Sequence, residues 1–212
     1  MITKFKKVFV LAPHTDDGEI GAGATIAKLC ESGAEVFYFA FSTAEQSVPE
    51  GFPKDVLKQE VKKATAQLGI KPENLFIYNF EVRKLNYFRQ DILEILVAKK
   101  RDLKPDLVLL PSLHDIHQDH QTIAQEGVRA FKNITLLGYE LIWNNLSFDF
   151  TSFVSLDEKH LAKKSLALAE YKSQGMRHYM SKEFIYSLAQ MRGVQIGVKY
   201  AESFEVIRWI LK

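Results

Sequence analysis

Cysteine is almost missing from this chain: Cys30 is the only one in 212 residues, which excludes an intrachain disulfide and any cysteine-rich zinc site. Its expected place is the inner face of a helix, as a small buried residue. Long apolar runs are missing as well, and no stretch approaches the roughly 20 apolar residues that span a bilayer. Residues 8–12, behind Lys4, Lys6 and Lys7, are too short for the core of a signal peptide, and Pro13, His14 and Asp16 interrupt them. The expectation is a cytoplasmic chain with no membrane span. Neither sign of charge is in excess: 28 Lys and Arg against 26 Asp and Glu leave +2, spread along the chain, so no basic face announces nucleic acid. Gly-x-Ser-x-Gly and His-Glu-x-x-His are absent, which removes motif support for a serine hydrolase or a zincin. No internal repeat, low-complexity segment or linker divides the chain, and residues 1–212 read as a single domain. A domain of that size buries a sufficient core without metal staples. Any metal it binds is therefore expected to be functional.

Apolar runs bounded by turns recur at residues 8–12, 36–41, 75–78, 107–110 and 134–139, and read as parallel strands buried on both faces. Stretches of helical spacing lie between them. Residues 20–32 end at Gly33; Val56, Val61, Ala64 and Leu68 form a stripe ended by Gly69; Ile92, Leu93, Leu96 and Val97 precede Lys104-Pro105; residues 123–131 supply the next. The alternation predicts a Rossmann-like, doubly wound, mostly parallel sheet. After residue 139 the pattern breaks into an irregular C-terminal extension, with a helix over 157–171 capped by Asp157 and a terminal strand over 204–211.

Two polar clusters follow two of the predicted strands. His14, Asp16 and Asp17 come directly after the first, and His114-Asp115-Ile116-His117-Gln118-Asp119-His120 comes after the run at 107–111; four of the six histidines lie in these two segments. In doubly wound sheets ligands bind beyond the carboxyl ends of the strands, where the strand order reverses. If the run at 107–110 is the fourth strand in the usual order, it lies beside the first and the two loops meet. His14 and Asp17, three residues apart, can then aim at one point, with His120 arriving from the other loop. Two histidines and one carboxylate leave positions open for water and substrate, as catalytic Zn2+ requires, and the same set also serves non-haem Fe(II). Asp16 and Asp17 taken alone would read as caps of the following helix. Gly21-Ala22-Gly23 is an incomplete dinucleotide fingerprint, because position 26 is Ile26.

These residues resemble the PIG-L/LmbE-like family of zinc-dependent N-acetylglucosaminyl deacetylases. Its hallmark His-Pro-Asp-Asp-Glu with a glycine-rich turn is approached by His14-Thr15-Asp16-Asp17-Gly18-Glu19-Ile20-Gly21-Ala22-Gly23, and its His-x-Asp-His by His117-Gln118-Asp119-His120. Glu60 with Ala64 and Leu68-Gly69, Tyr171-Lys172-Ser173-Gln174 and Tyr200-Ala201-Glu202-Ser203-Phe204 extend the likeness. The resemblance implies His14, Asp17 and His120 as zinc ligands and Asp16 as general base. It also implies His117 as stabiliser of the oxyanion, with Asp119 orienting or charge-pairing that imidazole. The implied partner is a small amino-sugar conjugate; homo-oligomerisation is left open. Thr15 replaces the usual proline, Gly18 stands where the family has glutamate, and Leu57 stands where many members carry an arginine that contacts substrate. Tyr171, Trp143 and Tyr179 are candidates to stack on a sugar ring, with core packing the commoner role for each. Residues 174–180 are expected to border the crevice. Competing readings are a two-histidine, one-carboxylate iron enzyme and a non-catalytic metal-binding module.

Overall fold

The strand β1 (Lys7–His14) alternates between two cores, sending Val8, Val10 and Ala12 to one face of the sheet and Phe9 and Leu11 to the other. A strand buried on both faces cannot show polar alternation, and this one reads as a continuous apolar run. The computed structural model describes residues 5–210 and continues with α1 (Asp17–Glu31), β2 (Glu35–Ser42), α2 (Val56–Leu68), β3 (Leu75–Ile77), α3 (Arg89–Leu103), β4 (Leu107–Pro111), α4 (Gln118–Ala130) and β5 (Thr135–Tyr139). Then follow β6 (Phe150–Leu156), α5 (Glu158–Ala169), α6 (Lys182–Val194) and β7 (Tyr200–Arg208). The sheet order is β3-β2-β1-β4-β5-β7-β6. Pairings from β3 to β5 are parallel, and β7 runs antiparallel to both β5 and β6.

One core lies under α1, α2, α5 and α6 and the other under α3 and α4. Each fully buried Val, Leu or Phe contributes about 1.5–3 kcal/mol, so this double layer fixes the positions of the strand ends. Cys30 is partly buried against the first core, and burial pushes its thiol up to about 11, away from the thiolate form.

The helices differ from the expected spans at their ends. Asp16 is the N-cap of α1, so that helix begins at Asp17 rather than residue 20, and it stops at Glu31. Gly69, at φ 92°, ends α2, and Lys104, at φ 54°, ends α3 just before Pro105. The chain after residue 139, expected to be an irregular extension with one helix and a terminal strand, holds both as α5 and β7 and adds β6 and α6 as regular elements. β6 escaped notice because it is an edge strand with a half-exposed face. The terminal strand starts four residues earlier than the predicted 204 and ends at Arg208; Lys4 and residue 211 lie outside the described residues. Among the described residues no helix is long and apolar enough to cross a membrane.

Candidate metal centre and active site

β1 and β4 are hydrogen-bonded neighbours, so the turns leaving their carboxyl ends share one crevice. α1 and α4 start there, and the free N–H groups of their first turns favour negative charge. The first turns supply Asp17 and Glu19 from α1 and Asp119 from α4. The expected meeting of the two loops therefore follows from the strand order.

Two buried carboxylates decide which nitrogens of the histidines point inward. His14 Nε2 lies 2.9 Å from Asp119 Oδ2, and His120 Nδ1 lies 2.7 Å from Asp115 Oδ2. An ionised carboxylate only accepts, so these two nitrogens carry the proton and the other nitrogen of each ring presents a lone pair. Those inward atoms, His14 Nδ1 and His120 Nε2, are 3.3 Å apart. They stand 3.0 and 3.3 Å from Asp17 Oδ2. Three acceptors this close repel one another unless a cation lies among them. Ligands about 2.0–2.1 Å from a tetrahedral zinc ion would be separated by about 3.3 Å, so the donor triangle fits such an ion.

The electrostatics agree with that demand. Burial pushes both imidazoles down, yet Asp17 and Asp119 lift His14 to about 9, and Asp17 and Asp115 lift His120 to about 10. Burial would raise Asp17, but His120 and His14 hold it well below the usual carboxylate range. The cluster thus attracts positive charge, whether proton or metal ion. His117 brings a third ring nitrogen, and His14, His117 and His120 lie with theirs within 4.8 Å of one another. Asp17 completes the tighter triangle.

Asp16 lines the crevice without making a side-chain cap bond. Burial and the neighbouring charge of Asp17 raise its carboxyl to about 6, against the lowering influence of Arg177 and His14. His117 is the N-cap of α4: its Nδ1 accepts the Asp119 backbone N–H at 3.1 Å. A neutral ring held in that way carries its proton on Nε2. Burial, then the charges of His120 and His14, push it down to about 4. Asp119 was expected to orient or charge-pair His117, and its N–H is what orients that ring. The Asp119 carboxylate accepts from His14 and from the backbone N–H groups of Arg83 (2.6 Å) and Leu85 (3.2 Å). Asp115 had no assigned role in the sequence, yet it holds His120 and also accepts the His117 N–H at 2.8 Å. Its place in the same loop, five residues before His120, was the available signal. His114 stays outside the cluster, 3.7 Å from both Asp149 and Glu205.

Beneath the floor, Glu19 is fully buried against the hydroxyls of Tyr38 and Tyr171. Burial raises its carboxyl to about 8, while those two hydroxyls act in the opposite sense. Both hydroxyls also reach the Thr15 carbonyl, and Tyr38 Oη accepts the Gly18 N–H at 3.2 Å. This network clamps the turn that aims Asp16 and Asp17. A Cβ on Gly18 would lie 2.6 Å from Tyr38 Oη, so the departure from glutamate at this position is matched by a tyrosine ring filling the space. Gly18→Ala is expected to cost about 1–3 kcal/mol by overpacking, read as a lower thermal midpoint. An unchanged midpoint would mean that Tyr38 moves aside freely.

Tyr171 is therefore a clamp under the site and does not face a sugar. Trp143 and Tyr179 line the crevice, their rings stacked on each other at 3.7 Å. Gln174 and Arg177 join them on the wall, and Ser173 ties that segment to α2 by donating its N–H and hydroxyl to Glu60 at 2.9 and 2.6 Å. Gly21 lies inside α1, where a Cβ would meet the Tyr139 ring at 2.3 Å. It serves helix packing, not a phosphate.

The likeness to known proteins covers the segment that holds both polar loops. A family model described as GlcNAc-PI de-N-acetylase (PIG-L) matches residues 9–131. A diacetylchitobiose deacetylase of Thermococcus kodakarensis is 30% identical over 133 residues, 59% of this chain and 49% of that protein, so the match spans about half the length of that relative. The uncharacterized deacetylase YaiS of Escherichia coli is 26% identical over 176 residues, 80% of this chain and 92% of that one. Among solved structures, the conserved protein TT1542 of Thermus thermophilus superposes with a TM-score of 0.80 at 24% identity, covering 97% of this chain and 96% of that one. The zinc-inhibited form of the teicoplanin deacetylase Orf2 gives 0.77 at 15%, covering 98% and 100%. The fold also carries a hydratase, GalB of Pseudomonas putida, at 0.74 and 18%, covering 98% of each chain. Fold alone thus does not choose the reaction, but the family model extends over more than half of the chain and contains both polar loops, and on that ground the protein belongs to the PIG-L family.

Proposed function

We propose that the protein is a metal-dependent hydrolase that removes the N-acetyl group from an N-acetylglucosamine-type amino sugar or its conjugate. The observation that carries this reading is the convergence of His14 Nδ1, Asp17 Oδ2 and His120 Nε2 within 3.3 Å of one another beside the crevice-lining carboxylate of Asp16. The donor set suits zinc, with Fe(II) as the other ion these ligands accept. When bound, the ion supplies a Lewis acid and lowers the pKa of a coordinated water toward about 7.

This chain's residues do the rest. Asp16 accepts a proton from the attacking water as its oxygen adds to the amide carbonyl carbon, and returns that proton to the nitrogen as the C–N bond breaks. Its carboxyl lines the crevice and is free of any cap bond, as both transfers require. His117, neutral and fixed by the Asp119 N–H, offers Nε2–H to the developing oxyanion. Such a donor is worth roughly 2.7–4 kcal/mol in a preorganised site. Asp119 and Asp115 position His14 and His120 and set their tautomers. The products are acetate and a free amine.

The test is acetate release from a panel of N-acetylglucosamine conjugates, before and after chelation and again after zinc or Fe(II) is restored. Release that disappears on chelation and returns with metal is the expected result. Release unaffected by thorough chelation would overturn metal dependence, and stoichiometric metal with no release across the panel would favour a binding module. The hydratase neighbour makes water addition to an unsaturated acid the control reaction.

A further inference from the structure

Beside its buried cluster of histidines and carboxylates the crevice carries two guanidinium groups. Asp16 and Asp17, buried at 7% and 5% exposure, lie among the imidazoles of His14, His117 and His120, whereas the remaining charged residues lining the cavity of about 190 Å³ are Arg83 and Arg177, both exposed. Among the described arginines, Arg89, Arg101, Arg129 and Arg192 each hold a carboxylate, and Arg208 donates to a backbone carbonyl. Arg83 and Arg177 hold no carboxylate among the described residues. The Arg177 guanidinium donates to Tyr179 Oη at 2.5 Å, one wall residue to another.

Arg83 is also held in place. Its backbone sits at φ 67°, in the left-handed region that a residue with a Cβ seldom adopts. The Asp119 carboxylate fixes it there through the Arg83 N–H, and the same carboxylate orients His14. Strained backbone of this kind gathers at functional sites, and here it registers a cation against the candidate metal centre. Ala44, at φ 46°, lines the same cavity. Close by on the lining, the buried hydroxyl of Ser47 has no hydrogen-bond partner among the described residues. At the position for which the family resemblance implies a substrate-contacting arginine stands Leu57, which is buried and lines the cavity together with Val82. Positive charge reaches the cavity from other segments instead.

We propose that Arg83 and Arg177 form a subsite for an anionic group, a carboxylate or a phosphate, carried by the substrate, with Ser47 as an additional donor. This rests on the deacetylase reading for the remainder of the ligand: the N-acetyl group lies over the donor cluster of His14, Asp17 and His120 and the anion lies against the two arginines. Guanidinium groups bind carboxylate and phosphate through paired N–H donors, and both chemistries fit.

Titration calorimetry with sugars that cannot be deacetylated tests this without turnover. Glucosamine 1-phosphate and muramic acid are compared with glucosamine, on the protein as purified and after chelation, at low and high salt. We expect one or both anionic sugars to bind about tenfold or more tightly than glucosamine, with the advantage shrinking in high salt. Which of them is favoured separates phosphate from carboxylate. Arg83→Met and Arg177→Met should each reduce the advantage, with the thermal midpoint showing that the fold is kept. Equal affinity for charged and neutral sugars, or an advantage that survives both substitutions together, overturns the subsite. Acetate release measured on the N-acetylated forms keeps the two failures apart. Release without anion preference sinks the subsite alone, whereas anion preference without release from any sugar sinks the deacetylase reading alone.

Discussion

Asp16→Asn is expected to lower kcat by about 10² to 10⁴, the range over which a positioned acid or base contributes, while metal content stays at the wild-type level. The substitution keeps the shape of the side chain and removes only its capacity to take and return a proton. Asp16 is suited to this comparison because its carboxylate makes no cap bond and is no part of the donor triangle, so its loss leaves His14, Asp17 and His120 as they are. The fold should also be unharmed, since no cap bond of α1 depends on this side chain. Turnover at the original rate with metal bound would remove Asp16 from the chemistry and pass the role of base to another group.

His120→Ala is expected to have the opposite signature, with metal lost first and activity lost as a consequence. The ring occupies one corner of the triangle and is 2% exposed. Its removal deletes a ligand and leaves Asp115, itself 1% exposed, without the imidazole it holds. The fall in metal affinity should exceed the 10- to 100-fold cost of losing an outer partner of a ligand. Metal analysis after gel filtration, together with a chelator competition, measures it. A variant that retains one equivalent of metal at unchanged affinity would show that His120 is not a ligand, and His117, the other nearby imidazole, would then be the candidate.

The sequence made the strands legible as far as β5, and the usual doubly wound order, if it held, put the run at 107–110 beside the first. Buried parallel strands read as unbroken apolar runs, and the helices between them carry their stripes and stops. The positions of His14, Asp17 and His120 follow from that order alone, because the ends of β1 and β4 are neighbours whatever fills the rest of the sheet. What stayed hidden depended on side-chain direction. Asp119 is one residue from His120 and two from His117, and nothing in the spacing says that its carboxylate turns toward a histidine 105 residues away. Tyr171 offered a hydroxyl and a ring, and only the packing of α5 against α1 put it under the floor, bonded to Glu19. β6 and α6 were missed for a different reason: an edge strand and a helix on the rim have little buried surface to impose a period.

The crevice draws its reacting groups and much of its wall from different stretches of chain. Every residue given a part in the reaction lies at or before His120, while Trp143, Gln174, Arg177 and Tyr179 come from segments that follow β5. A change of ligand can therefore be written into the later third without disturbing the machinery in the earlier part. Exchanging residues 142–146 and 174–180 between members of the fold is accordingly a route to retargeting, in which one inherited reaction is directed at a new molecule by its C-terminal wall.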